Sequence, residues 1–174
     1  MSAVDDPAQP PGGPVPAGEE NLLRCTWRSG PFGLSQLGEV TESFRQWVDW
    51  GDVIAIQAPM GTGKTTFVAA LAKTMGAIDD ATSPTFALCQ EYPVQQGLRG
   101  EQRMLRHLDL YRINGESELR DLGWDELMED GRALTLVEWP ERAADHFPEY
   151  AKLLRLERQP DGLRLAALWE RESV

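Results

Sequence analysis

Val53-Ile54-Ala55-Ile56-Gln57-Ala58-Pro59-Met60-Gly61-Thr62-Gly63-Lys64-Thr65-Thr66-Phe67-Val68 is the stretch that decides the fold. It opens on a short apolar run, Val53 to Ile56, the pattern of a strand buried on both faces and therefore of a parallel sheet. Ala58 to Thr65 then reads as Ala or Gly, four free positions, Gly, Lys, and Ser or Thr. That spacing wraps backbone N–H groups around phosphate oxygens at a helix N-terminus. Gly61 and Gly63 permit conformations and close approaches that a Cβ would obstruct. Lys64 can reach the β- and γ-phosphates, and the Thr65 hydroxyl can face Mg²⁺. Thr62 and Thr66 complete the candidate nucleotide contacts. Pro59 removes one N–H, but the donors that matter lie in the later half of the loop. From Thr65 to Met75, Val68, Leu71, Ala72 and Met75 share one helical face, and Gly76 stands at the C-cap. Strand, glycine loop and helix in that order predict a P-loop nucleotide-binding protein with a mostly parallel central sheet.

Working outward, Leu22 to Trp27 predicts a first strand. Ser35 to Asp49 predicts a packing helix with Leu37, Val40, Phe44, Trp47 and Val48 on its apolar face. Phe86 to Tyr92 and Met104 to Asp109 are further strand candidates separated by a polar segment. Ser117 to Met128 predicts one or two short helices around Gly123, and Ala133 to Glu138 another strand. At the C-terminus Gln159-Pro160-Asp161-Gly162 joins two apolar runs, a hairpin signature. Residues 1–20, rich in Pro, Gly, Ala and acid, carry too little apolar surface to offset the entropy of ordering, so they are expected to be a disordered tail. Residues 21–174 are expected to form a single P-loop domain.

Composition bounds the function. The chain has 174 residues, 41% of them hydrophobic, and a net charge of −11. No apolar run approaches the roughly 18 residues that cross a bilayer, so no membrane partner is expected. The N-terminus lacks the charged and apolar regions of a secretory signal, which points to a cytoplasmic location. The acidic balance disfavours direct, sequence-independent binding to nucleic acid. Cys25 and Cys89 read as buried reduced thiols. The clusters Arg99, Arg103, Arg106, Arg112 and Lys152, Arg155, Arg158 read as solvated faces. His107 and His146 lack metal-ligand spacing and read as structural or surface residues.

Two strands end in an acid, Asp109 and Glu138. A P-loop ATPase needs such an acid at the C-terminal end of a neighbouring strand, to hold Mg²⁺ and to place the attacking water. Either residue meets that description from sequence alone. Thr82-Ser83-Pro84-Thr85-Phe86 reads first as a turn, and alternatively as a switch loop whose Ser83 and Thr85 hydroxyls sense the γ-phosphate around Pro84. Trp139-Pro140 reads as packing.

Four motifs, Gly61-Thr62-Gly63-Lys64-Thr65-Thr66-Phe67-Val68, Thr82 to Phe86, His107-Leu108-Asp109-Leu110-Tyr111-Arg112 and Val137-Glu138-Trp139-Pro140-Glu141-Arg142, together resemble the TsaE family of bacterial ATPases of tRNA threonylcarbamoyladenosine biosynthesis. The resemblance runs from about Pro31 to Pro148; the family more often has Gly-Asp where this chain has Ala58-Pro59. It implies a three-layer α/β ATPase using ATP and Mg²⁺ and joining the TsaB and TsaD proteins, which modify the adenosine next to the anticodon. Hydrolysis would reset that complex, with tRNA contacted through the partners. Residue by residue, it implies phosphate and metal roles for Lys64 and Thr65, essential acids in Asp109 and Glu138, and a tryptophan beside the nucleotide in Trp139. It also implies a switch-like loop at Ser83 to Thr85. The rival expectations are a P-loop small-molecule kinase, with Arg99, Arg103 and Arg106 as a lid, and a non-catalytic nucleotide-gated binding module.

Overall fold

Seven strands join one sheet: β1 (Leu23–Arg28), β2 (Val53–Gln57), β3 (Cys89–Gln95), β4 (Gln102–Asp109), β5 (Ala133–Glu138), β6 (Lys152–Arg158) and β7 (Arg164–Arg171). The computed structural model describes residues 23–77, 88–95 and 102–172; the expected tail and the segment Thr82 to Phe86 lie outside them. The strand order is β1-β7-β6-β2-β5-β4-β3, which puts β2 at the centre with parallel partners on both sides. Central placement is what an unbroken apolar strand requires, since both of its faces must be covered. Ile54 and Ile56 join Phe44, Phe67 and Leu71 in one core cluster, while Val53 joins Leu108, Val137, Trp124 and Met128 in another on the opposite face.

Helices α1 (Leu37–Phe44) and α2 (Lys64–Thr74) cover the first face, and α3 (Glu116–Asp121) and α4 (Trp124–Met128) the second. The expected three layers are therefore present. Edge-to-face contacts from Trp27 to Phe44 (5.1 Å) and from Phe44 to Phe67 (5.4 Å) tie β1, α1 and α2 together. Each such ring adds about 1.5–3 kcal/mol on full burial. The α2 terminus reads as expected: Gly76 adopts φ 83°, Ala77 N–H bonds Ala72 O and Gly76 N–H bonds Lys73 O, the paired closure that a left-handed glycine permits. Gly123, at φ 75°, divides α3 from α4.

Two expectations need correction. The sheet is mixed: β2–β5, β2–β6 and β4–β5 are parallel, but β1–β7, β6–β7 and β3–β4 are antiparallel. The connections explain two of these pairs, because β6 and β7, like β3 and β4, are joined by links too short for a crossover and must return antiparallel. Trp47 is not on the apolar face of α1. The helix ends at Phe44 and continues as a tighter 3₁₀ turn, Arg45–Trp47, whose three-residue period carries Trp47 outward to 46% exposure while Val48 packs inward. Cys25 and Cys89 are free and only half-buried.

Candidate nucleotide-binding site

The loop after β2 turns on two left-handed glycines, Gly61 at φ 78° and Gly63 at φ 104°. A Cβ on Gly61 would meet nothing within 4 Å, so its open side gives onto the cleft. The first intrahelical bond of α2 runs from Phe67 N–H to Gly63 O. The amides of Lys64, Thr65 and Thr66 precede it and have no acceptor inside the helix, so they remain donors at the positive end of an eleven-residue helix. The first half of the loop contributes carbonyls instead. Pro59 O accepts from the Thr62 hydroxyl (2.8 Å) and, with Ala58 O, from Lys64 Nζ (3.4 and 3.1 Å). Proline at this position sacrifices nothing, because its carbonyl is the group in use.

Lys64 is 7% exposed. Among the described residues its ammonium has two carbonyls and the Trp139 ring, 4.8 Å away, and no carboxylate partner. A buried cation without an anion beside a row of amides that lack intrahelical acceptors can receive one.

The acids differ. Glu138, at the end of β5, is 3% exposed, and its Oε1 accepts from Thr65 Oγ1 (3.0 Å) and from His107 Nε2 (2.8 Å). Asp109, at the end of β4, stands opposite Glu138 in the parallel register and is half-buried. Its Oδ1 accepts the Tyr111 N–H at 3.0 Å. Trp139 follows Glu138 at φ 58°, ψ 51°, a left-handed non-glycine conformation costing about 1–3 kcal/mol. Its ring contacts Tyr111 (centroids 5.0 Å apart) as well as Lys64, and its carbonyl accepts from Arg142 N–H. Met60, Gly61, Gly63, Lys64, Thr65 and Thr66 face Asp109, Tyr111, Glu138 and Trp139 across a cleft of about 450 Å³.

The fold thus gathers every expected site residue except Ser83, Pro84 and Thr85, which lie outside the described residues, and Thr62, whose buried side chain braces the loop from behind. His107, read as a structural or surface residue, is buried and bonds Glu138 from behind the cleft. It lies two residues before Asp109 on the same strand, so period-two alternation already placed them on one face. Arg164 carried no sequence signal: 102 positions from Thr62, it donates to Thr62 O at 3.0 Å and holds the back of the loop to β7. Arg106 contradicts both the solvated face and the lid. It is 5% exposed and bonds Glu91 and Asp130 on the face opposite the cleft. Those carboxylates hold its guanidinium more basic than usual although burial, the largest influence, opposes them. Lys152 is likewise absorbed by Asp52 and Glu170, and Arg155 by Glu157. Among the described residues no trio of His, Cys, Asp or Glu gathers to hold a metal unaided, and no helix is long and apolar enough to cross a membrane.

Comparison with known proteins bears on this site directly. The sequence pattern of a family described as "Threonylcarbamoyl adenosine biosynthesis protein TsaE" matches residues 34–165, which span the loop, both acids and Arg164. The tRNA threonylcarbamoyladenosine biosynthesis protein TsaE of Treponema pallidum (strain Nichols) is 34% identical over 142 residues, 82% of this chain and 96% of that one. The protein of the same name from Bacillus subtilis (strain 168) is 32% identical over 144 residues, 82% and 84% of the two chains. Among solved structures, the crystal structure of Bacillus subtilis YdiB superposes with a TM-score of 0.60 over 84% of each chain at 23% identity, a likeness of fold. With a match across the whole cleft and full-length relatives of one name, this chain belongs to the TsaE family of tRNA threonylcarbamoyladenosine biosynthesis proteins.

Proposed function

We propose that this protein is an ATPase that binds ATP with Mg²⁺ and hydrolyses it in support of threonylcarbamoyladenosine modification of tRNA next to the anticodon, acting in the cytoplasm in complex with TsaB and TsaD. Residues 21–174 are its single catalytic domain and residues 1–20 a tail. The observation that carries the reading is the 3.0 Å bond from the Thr65 hydroxyl to Glu138 at the mouth of the amide-lined loop. A hydroxyl has one hydrogen and two lone pairs. With the hydrogen given to Glu138, the lone pairs of Thr65 are free for a cation, and the buried carboxylate supplies the compensating charge.

The remaining roles follow from placement. The amides of Lys64, Thr65 and Thr66 and the Lys64 ammonium bind phosphate oxygens and stabilise charge that develops on them. Mg²⁺, when bound, neutralises phosphate charge and orients the oxygens for in-line displacement. Asp109, half-buried across the cleft and not engaged with Thr65, orients the attacking water and accepts its proton. Trp139 and Tyr111 wall the cleft and exclude bulk water. Ser83, Pro84 and Thr85 form the loop that senses the γ-phosphate. The acidic chain leaves tRNA contact to its partners.

The test is phosphate release by the purified chain alone and mixed with TsaB, TsaD and tRNA. Turnover should rise with the partners and be lost in Lys64→Ala and Glu138→Ala. Wild-type turnover in both variants, or phosphate delivered to a small metabolite instead of water, would refute the assignment.

A further inference from the structure

His107 is 1% exposed, and its Nε2 lies 2.8 Å from Glu138 Oε1. A polar ring so deeply buried must find a partner. The partner here is the acid that already accepts from Thr65. A carboxylate only accepts, so Nε2–H donates, and two donors converge on one oxygen from opposite elements: Thr65 from α2 and His107 from β4. The geometry matters because the terminal torsion of a glutamate is broad and nearly two-fold. One hydrogen bond leaves the carboxylate free to turn, whereas two from different directions hold it.

We propose that His107 is a positioning residue for the divalent cation: it pins Glu138 so that the Thr65 hydrogen stays on the acid and the Thr65 lone pairs face the metal. His107 acts from behind Glu138 and touches neither nucleotide nor cation. The inference rests on the ATP–Mg²⁺ reading and adds the group that aligns the acid. It also links the two acid-ended strands, since His107 shares a face of β4 with Asp109 and bonds the acid of β5.

Calorimetric binding of a non-hydrolysable ATP analogue to the full chain, once with Mg²⁺ and once with EDTA, tests this without reference to turnover. Wild type should bind more tightly with Mg²⁺. His107→Ala should lose about 10–100-fold of that Mg²⁺-dependent gain, the usual effect of removing an outer partner of a metal ligand, and keep its affinity in EDTA. His107→Gln, whose amide N–H lies near the former Nε2, should regain it. His107→Asn, whose N–H falls short, should behave as the alanine variant does and carries the test if that variant does not fold. Equal losses with Mg²⁺ and EDTA would reduce His107 to packing and overturn the inference, as would a wild-type Mg²⁺ response in both loss variants. Failure of wild type to bind the analogue at all would instead overturn the nucleotide reading, and this inference with it.

Discussion

Strands β4 and β5 lie side by side, parallel and in register, with Asp109 opposite Glu138. Glu138 is sealed under Thr65 and His107 and followed by a residue in a left-handed conformation; Asp109 is half-buried, held by the N–H of Tyr111, and borders open space. The difference is set by distance from β2. The strand beside β2 brings its acid under the first turn of α2, and the next strand, about 4.8 Å further out, brings its acid to the far wall. Carboxylates at matching positions of adjacent strands are thus given different surroundings by a single strand spacing: one meets Thr65, the other borders the cleft.

That division can be broken most decisively by charge-neutral substitutions. Glu138→Gln keeps the shape and removes the anion beneath Thr65, so turnover should fall on the order of 10²–10³-fold, comparable to loss of a preorganised electrostatic partner, with a raised Mg²⁺ requirement. Asp109→Asn should lower kcat by about 10²-fold, as for loss of a general base, while nucleotide affinity and Mg²⁺ dependence stay at wild type. Mg²⁺ titrations of turnover separate the two; identical shifts in both variants would erase the distinction between the strands.

Smaller effects sharpen it. Arg164→Ala removes the brace on Thr62 O and should weaken nucleotide binding about tenfold, near the 1.4 kcal/mol expected of a charge-assisted hydrogen bond, without altering Mg²⁺ dependence. Calorimetry would show a changed Mg²⁺ response if Arg164 served the metal side instead. The smallest effect lies on the back of β4, where Arg106 bonds Asp130. Burial, the largest influence on Asp130, raises its pKa, but the Arg132 N–H and the Arg106 and Arg132 side chains together lower it below the usual 3.8. A depressed carboxyl pKa stabilises the fold above the unfolded value and loses that contribution as pH falls through the folded one. Asp130→Asn should therefore lower Tm by about 2–4 °C at neutral pH, equivalent to roughly 1 kcal/mol in a chain of this size, and flatten the loss of Tm below pH about 4. Thermal melts across that range check it, and turnover should be untouched because Asp130 lies on the face away from the cleft.

Much of this was legible in the residues. The apolar run of β2 and the Gly61–Thr65 spacing announced a strand, a glycine turn and a helix because each is a local pattern with a local physical cause. The two acids at strand ends were visible for the same reason, and so was the glycine between α3 and α4. The antiparallel margins were less visible, since β1 gives no sign in its own residues that it will pair with β7. Trp47 misled because helical spacing predicts its face only while the helix stays α.

What the sequence determined by itself was the inventory: a glycine loop between strand and helix, a lysine, a hydroxyl and two candidate acids, each encoded within a few neighbouring residues. Only the tertiary structure decided which acid meets Thr65, that His107 stands behind it, and that Arg164 holds the loop from 102 positions away. Those contacts depend on strand order and register, which arise from burying two sheet faces at once; no local window of sequence contains that constraint.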